Sequence, residues 1–259
     1  MKTRIQGDRL ACFRRTADVA FWDEHWREGL TRKSYEGFDA GQLGCFEGAF
    51  TRNLPRTGRI LEAGCGIGQY VVSLRARGYD AEGVEWAPET VAKVRTIWPD
   101  LPIRQGDVTA LGVPDGYFKG YISLGVMEHR REGPEPFLHE AYRVLTSDGV
   151  ALISVPFAHR VRQLKRAVGF YRGRSAGEFY QFIYDKGEFH EILGKTGFTV
   201  VEQVPYDAVK GLSDEVAALR WWFMRTASGR RMAQELLVTG RLDRWFGHMI
   251  LFVCRKISR

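Results

Sequence analysis

The sequence predicts an α/β fold in which helices cover both faces of a doubly wound, seven-stranded sheet. Short β-rich runs alternate with helical patterns between about residues 59 and 157, which is typical of successive βα units and a mostly parallel sheet. A glycine-rich turn follows the first of these runs, and a carboxylate ends the second. Both features are found in doubly wound sheets that hold a ligand at the carboxyl edge of their strands.

Each element can be placed from its own signals. The first strand covers residues 59–63, and the helix predicted over 70–77 ends at Gly78, a typical C-terminal capping residue. Pro88 suits the first position of the second helix, which follows a strand over 81–86. Five further strands, the last of them antiparallel, two helices and a turn complete the predicted core: strands 103–105, 117–124, 150–155, 198–201 and 248–254, helices from Pro136 and over 188–193, and the turn 147–149.

The segments outside this core are expected to cover the ligand edge as a helical lid. Strands five and six of a parallel sheet both end at that edge, so the segments that follow them start there. The run Phe21–Trp26 is expected to join this cover from the N-terminal side. The predicted layout is an N-terminal helical arm, a ligand-binding core, a basic lid insertion, a core helix with strand six, a lid excursion and a last core strand: residues 1–55, 56–156, 157–182, 183–202, 203–247 and 248–259.

The run Glu62-Ala63-Gly64-Cys65-Gly66-Ile67-Gly68 lies between the first strand and the first helix. Glycines at such a turn let the backbone approach a ligand closely. A dinucleotide fingerprint has the spacing G-x-G-x-x-G, but Gln69 occupies its third glycine position. Glu85 ends the second strand, where a doubly wound fold places the acid that binds ribose hydroxyls.

With its G-x-G-x-G spacing and an acid two residues ahead, the sequence resembles the class I S-adenosylmethionine-dependent methyltransferases. The resemblance covers about residues 59–201, and Ser123–His129 is similar to the ubiquinone-biosynthesis-like branch (type 11). It implies a Rossmann-like fold, S-adenosylmethionine as the cofactor and S-adenosylhomocysteine as the product. The cofactor-binding residues that it implies are Glu62, Gly64, Gly66, Gly68, Glu85, Trp86, Asp107, Val108 and Leu124.

The resemblance also implies roles for four of these positions. Glu85 would accept hydrogen bonds from both ribose hydroxyls, Trp86 would lie against the adenine, and Asp107 would accept one from the adenine amino group. The backbone near Leu124 would contact the methionine part. The structural alternative is that the glycines only form turns, Glu85 lies on the surface, Asp107 caps a helix and Trp86 fills the core. Their occurrence in order, each at a strand end, favours the cofactor site.

His129 is the candidate general base, because it follows the fourth strand at the ligand edge and an imidazole titrates near neutral pH. A base is needed when the methyl acceptor is a hydroxyl group. The alternative is that Glu128 and His129 only order the loop or contact the cofactor. His25 and Tyr184 are the next candidates, because both lie in segments expected to cover the site.

The predicted reaction is methyl transfer to a small-molecule or lipid-linked acceptor, with oxygen favoured over nitrogen and carbon. Leu124–Met127 stands where methyltransferases of nucleic-acid amines carry an Asn/Asp-Pro-Pro-aromatic motif. No cluster with metal-ligand spacing occurs in the sequence, so no metal is predicted. Two alternatives remain: an RNA or other nucleic-acid methyltransferase, which the positive charge suggests, and a non-catalytic partner protein that binds S-adenosylmethionine.

The net charge of +7 favours contact with an anionic acceptor or membrane surface. The insertion has no acid between Phe157 and Arg174, and Leu219–Arg231 combines arginines with aromatic residues as interfacial helices do. The alternative is a lid whose arginines are simply solvated. The basic residues concerned are Arg160, Arg162, Lys165, Arg166, Arg172 and Arg174 in the insertion, and Arg220, Arg225, Arg230 and Arg231 in the excursion.

The four cysteines show no paired spacing, and residues 1–11 lack the apolar segment of a secretory signal. These features favour a cytoplasmic location, with peripheral attachment to a membrane as the further expectation. The oligomeric state has no sequence signal.

Overall fold

The computed structural model describes residues 2–27, 30–173 and 177–257. These residues form ten strands, β1 to β10 in chain order: Lys2–Gln6, Arg9–Arg14, Arg59–Ala63, Asp80–Glu85, Ile103–Gln105, Phe118–Leu124, Leu145–Pro156, Glu178–Ile183, Phe198–Tyr206 and Met249–Lys256. They also form eleven α-helices, α1 to α11: Val19–Arg27, Glu47–Asn53, Gln69–Ala76, Pro88–Ile97, Glu135–Val144, Arg160–Ala167, Lys186–Lys195, Ala208–Glu215, Ala217–Arg225, Ala227–Thr239 and Asp243–Phe246.

Seven of the strands form the predicted doubly wound sheet, in the order β5-β4-β3-β6-β7-β10-β9. Strands β3 to β7 pair in parallel, whereas β10 runs antiparallel to both of its neighbours, β7 and β9. The chain leaves β3 in one direction to β4 and later returns on its other side to β6, so the strand order reverses at β3. A crevice forms at such a reversal, at the carboxyl ends of the strands, and this is where α/β sheets bind ligands.

Both faces of the central strands are buried. Alternate residues of β7 enter opposite cores: Ile153 and Val155 pack in one, and Val150 and Leu152 in the other. This alternation follows from the two-residue period of a strand, and it explains why the sequence reads as a continuous apolar run. The prediction of a mostly parallel sheet covered by helices on both faces is confirmed.

Residues 2–14 differ from the predicted helical arm, because β1 and β2 form a hairpin. β2 pairs with β8 from the insertion, which gives a second, three-stranded antiparallel sheet. Leu10 to Phe13 are all buried, and their pairing partners lie about 170 residues later in the chain. The helical prediction failed at this segment because a partner so distant leaves no local pattern. The helix expected near Phe21 is present as α1.

The excursion between β9 and β10 starts and ends at the carboxyl edge, since Met249 pairs with both Pro156 and Tyr206. Its helix α8 packs through ion pairs against α6 of the insertion. No helix within the described ranges has the length and apolar content needed to cross a bilayer.

Candidate functional site

The glycine loop closes the carboxyl end of β3. Gly64 and Gly66 have positive φ angles of 74° and 53°, which a residue with a side chain rarely adopts. A Cβ atom on Gly64 would lie 2.5 Å from Val126 Cγ2, and one on Gly66 would lie 2.8 Å from Trp26 Cζ2. Both the backbone conformation and these close neighbours therefore require glycine at the two positions.

Glu62 lies behind this loop. Its Oε2 accepts a hydrogen bond of 3.2 Å from the amide of Val71, in the first turn of α3. Burial raises the pKa of the Glu62 carboxyl to about 8. Gly68 precedes α3 as its capping residue and is also absent from the cavity wall. These two residues hold the loop and helix in place, and their predicted contact with the cofactor stays a prediction.

Glu85 joins the ends of two strands through backbone hydrogen bonds. Its Oε2 accepts one from the Gly66 amide at 2.7 Å, and its Oε1 accepts one from the Ala87 amide at 3.0 Å. The side chain is buried, and this burial raises the pKa of its carboxyl. A carboxylate can accept about four hydrogen bonds, so these two leave sites for hydroxyl groups of a ligand.

A cavity of about 740 Å³ opens at this point. Trp86 projects into it with 45% of its surface exposed, which is high for an indole. Asp107 also lines the cavity, and its Oδ1 accepts hydrogen bonds from the amide and hydroxyl of Thr109. An acid, an exposed aromatic face and a close backbone approach together fit a nucleoside-containing cofactor. The predicted site residues that line the cavity are Gly64, Gly66, Glu85, Trp86, Asp107, Val108, Leu124 and His129.

The other side of the cavity comes from segments that lie outside the sequence motifs. Phe13 of β2 and Phe179 of β8 meet edge to face there, with ring centroids 6.5 Å apart. Trp22 and Trp26 of α1 also line the cavity, as the expected cover over Phe21–Trp26 implies. The Asp23 carboxylate holds α1 in place by accepting a 3.0 Å hydrogen bond from the Thr90 amide.

His129 lies between these two sides. Its Nδ1 is 2.8 Å from the carbonyl oxygen of Tyr180, and because a carbonyl only accepts, Nδ1 carries the proton. Trp22 packs edge-on against the imidazole at 5.0 Å. Burial lowers the pKa of His129 to about 4, so the ring is neutral at pH 7 with its lone pair on Nε2.

A second titratable group lies beside this lone pair. Glu128 Oε1 is 3.9 Å from His129 Nε2, while Glu128 Oε2 has no hydrogen-bond partner among the described residues. Burial raises the pKa of the Glu128 carboxyl to about 8. Glu128 is buried and does not line the cavity, so of these two side chains only the imidazole of His129 faces the open space.

The two other candidate bases lie off the cavity wall. His25 is exposed on α1, with its ring stacked on Phe21 at 5.9 Å. Tyr184 is fully buried, beneath the guanidinium of Arg9 at 5.3 Å. The described residues contain no group of three or more His, Cys, Asp or Glu side chains placed to hold a metal ion.

The expectation that the insertion offers free positive charge is wrong for its central residues. Arg162 is buried, with its Nε 2.9 Å from Glu215 Oε1 and a guanidinium nitrogen 3.4 Å from Asp214 Oδ2. The Nζ atom of Lys165 lies 2.8 Å from Glu215 Oε2. The acids absent from the local sequence are thus supplied by α8. Arg174 lies outside the described residues.

The lid prediction also needs correction. Gly177 to Phe179 of the insertion reach the cavity, but none of the described residues lining it belongs to the 203–247 excursion. The reason is the ion-pair network just described, which draws α8 onto α6 and away from the glycine loop.

Comparison with known proteins identifies the family. A methyltransferase-domain family model matches residues 46–203, more than half of the chain. A Mycolicibacterium smegmatis protein assigned as an S-adenosylmethionine-dependent methyltransferase is 29% identical over 157 residues, 60% of this chain and 57% of that protein. The match therefore spans little more than half of that relative's length.

Solved structures share the fold at low sequence identity. The methyltransferase chain in a complex with the Haloferax volcanii Trm112 methyltransferase activator has a TM-score of 0.59 and 18% identity, over 92% of this chain and 98% of that one. An S-adenosylmethionine-dependent methyltransferase from Archaeoglobus fulgidus has a TM-score of 0.56 and 16% identity, over 92% and 100%. The chain belongs to the methyltransferase domain family.

Proposed function

We propose that the protein transfers a methyl group from S-adenosylmethionine to a hydroxyl group of a small-molecule or lipid-linked acceptor, with His129 as the general base. The observation that supports this reaction is that the Glu85 wall and the imidazole of His129 face the same cavity. A continuous cavity also favours an enzyme over a non-catalytic partner protein, for which a closed acceptor side would be expected.

Residues on the first wall would hold the cofactor. Glu85 is oriented for the ribose hydroxyls by its bonds to Gly66 and Ala87, and Trp86 offers an aromatic face to the adenine. When bound, S-adenosylmethionine supplies a methyl group on a positively charged sulfur, which is already strongly electrophilic. The protein's remaining tasks are to align the acceptor, exclude water and remove a proton.

His129 suits the last task. The Tyr180 carbonyl fixes the tautomer, so Nε2 can accept the hydroxyl proton without a change in ring orientation. The imidazolium formed in this way would lie 3.9 Å from the Glu128 carboxyl. Glu128 is therefore a positioning residue for the base: once ionised, it stabilises the positive charge that His129 gains.

The acceptor side of the cavity is aromatic, with Phe13, Phe137 and Phe179 on its wall. Such a surface suits a planar or apolar acceptor body. Basic Arg130 and Arg131 alternate there with acidic groups, whereas a nucleic-acid site needs a groove of one charge to follow phosphates. This mixture favours a small acceptor over RNA or DNA. The acids concerned are Asp18, Glu132 and Glu178.

We also propose the ubiquinone-biosynthesis-like branch and a cytoplasmic location at a membrane surface. The proposed branch is supported by the segment Ser123–His129, whose last residue, His129, lies on the cavity wall. The second rests on four cysteines that form no disulfide and on basic surface described below.

The reaction can be tested with labelled S-adenosylmethionine and a panel of phenols, aliphatic alcohols, carboxylic acids and amines. We expect methyl ethers from wild type, and about a hundredfold lower turnover from His129→Ala, which lacks the base. Cofactor affinity of the variant should stay within about twofold, because the first wall is unchanged.

His25→Ala is the matched control, since it removes an imidazole of the covering helix α1 that lies off the cavity wall, and it should keep nearly full turnover. Labelled amines as the main product, or full activity of His129→Ala, would contradict the proposal. Loss of cofactor binding in His129→Ala would assign the residue to the cofactor site instead.

A further inference from the structure

Helices α9 and α10 expose several large apolar side chains to solvent. Among their described residues, only Phe223 of α9 and Gly229 of α10 are buried. Trp221 is 61% exposed, Met224 67% and Val238 86%. An exposed tryptophan and methionine on adjacent turns of one helix are unusual for a surface that meets only water.

The two helices form an ordered hairpin. The Thr226 hydroxyl between them accepts a 2.9 Å hydrogen bond from the Gly229 amide, which caps α10. A guanidinium nitrogen of Arg230 donates to the Met224 carbonyl at 3.3 Å, so the arginine lies beside the exposed end of α9. Apolar and basic groups therefore share this surface.

The charge of this hairpin is almost entirely positive. Residues 216–246 contain six arginines, no lysine and only two acids, Glu235 and Asp243. Within the described ranges, no carboxylate lies within 4.0 Å of a basic nitrogen of Arg220, Arg225 or Arg231. This contrasts with the insertion, whose central basic residues are neutralised by α8.

A second exposed apolar group adjoins the start of α9. Phe170, which is 64% exposed, lies 4.9 Å below the Lys165 Nζ atom. The same Nζ donates to the Glu215 carbonyl at 2.7 Å, and Glu215 is followed by the exposed Val216. The exposed side chains of Phe170 and Val216 therefore lie on either side of the contact between Lys165 and Glu215. The α9–α10 face is defined as the exposed residues Val216, Arg220, Trp221, Met224, Arg225, Arg230 and Arg231. The exposed apolar residues of the insertion are Leu164, Val168 and Phe170.

We propose that the α9–α10 face docks on a bilayer of anionic lipids. Tryptophan and methionine would enter the region between headgroups and acyl chains, while the unpaired arginines would meet lipid phosphates. A second copy of the chain is a poorer occupant, because it would place arginines against arginines. The inference rests on the membrane location proposed above and names the surface responsible for it.

Vesicle co-sedimentation tests the surface, using phosphatidylcholine vesicles with or without phosphatidylglycerol. Wild type should bind only the anionic vesicles, and added salt should release it. The triple variant Arg225→Glu, Arg230→Glu and Arg231→Glu should partition about a hundredfold more weakly, because each basic residue contributes about a fivefold factor. Trp221→Ser with Met224→Ser should also weaken binding, but with less salt dependence.

The matched control reverses three exposed cations on other elements: Lys33→Glu, Lys186→Glu and Arg255→Glu. This variant has the same net charge as the triple variant and should still bind. The proposal is overturned if wild type ignores phosphatidylglycerol vesicles, which would leave an acidic protein as the occupant, or if the two triple variants bind alike. Transfer to a water-soluble acceptor without vesicles should be equal in all variants, so failed docking and failed methyl transfer are distinguishable.

Discussion

The two sides of the cavity are built in different ways. The cofactor side comes mainly from residues 64 to 108, where the Gly66 amide donates a 2.7 Å hydrogen bond to the Glu85 carboxylate. The acceptor side brings Phe13 against Phe179 across most of the chain length. The first side depends on short-range backbone geometry and the second on long-range packing. Changes in one side should therefore leave the function of the other largely intact.

The largest expected effect is on the cofactor side. Glu85→Ala would remove the two charge-assisted hydrogen bonds that we propose between this carboxylate and the ribose, each contributing about 1.5–3 kcal/mol. We expect the dissociation constant for S-adenosylhomocysteine to rise about a hundredfold or more, as measured by calorimetry. Glu85→Gln keeps one acceptor oxygen and should lose less affinity. An unchanged affinity in Glu85→Ala would show that this carboxylate is not the ribose ligand.

A change on the acceptor side should have a smaller effect and a different signature. Phe179→Leu keeps an apolar side chain but loses the edge-to-face contact with Phe13 and an aromatic surface for the acceptor. Aromatic pairs contribute about 0.5–1.5 kcal/mol beyond buried area, so the KM for the acceptor should rise about three- to tenfold. Steady-state kinetics would show this with the cofactor dissociation constant unchanged. A loss of cofactor affinity would mean that the two sides are coupled.

The smallest effect should appear in the pH profile. The pKa of Glu128 is about 8, so its carboxyl is neutral below that value and ionised above it. Ionisation beside His129 should raise turnover a few-fold as the pH passes through about 8. Glu128→Gln cannot ionise and should give a flat profile over this range, down to the pKa of His129 at about 4.

The stability of the wild type gives an independent check on the same group. Because folding raises the Glu128 pKa from 4.5, the folded state holds a proton that the unfolded state has released. The free energy of unfolding should therefore fall as the pH rises from about 4.5 to 8. Thermal melts of Glu128→Gln should lack this component. If the melting temperatures of wild type and Glu128→Gln depended on pH in the same way, the Glu128 carboxyl would have to be exposed to water.

The same contrast explains what the sequence could and could not predict. Gly64, Gly66 and Glu85 stand at strand ends within one short segment, so spacing alone located them. The positions of Phe179 and of the hairpin at Lys2–Arg14 depend on the pairing of β2 with β8, which spans most of the chain. No local sequence pattern indicates such a distant pairing. Patterns within about 30 residues were informative here, whereas contacts at longer range needed the structure.

The basic insertion illustrates the same limit in its charges. The absence of acids around Arg162 suggested a free positive surface, yet its partner Glu215 lies 53 residues later. The net charge of a short stretch of sequence therefore counts the charged residues of that stretch. It does not show whether distant residues neutralise them in the folded protein. The arginines of α9 look similar in the sequence, but the described residues offer them no carboxylate.

The tryptophans on the cavity wall make ligand binding observable by intrinsic fluorescence. Three of the seven, Trp22, Trp26 and Trp86, face this space. Indole emission shifts when polar solvent around the ring is replaced, so the filling of the cavity is visible without a label. Trp86 adjoins Glu85, whereas Trp22 contacts His129, and single replacement by phenylalanine would assign the signal to one side. The order in which cofactor and acceptor enter could then be followed in real time by stopped-flow fluorescence.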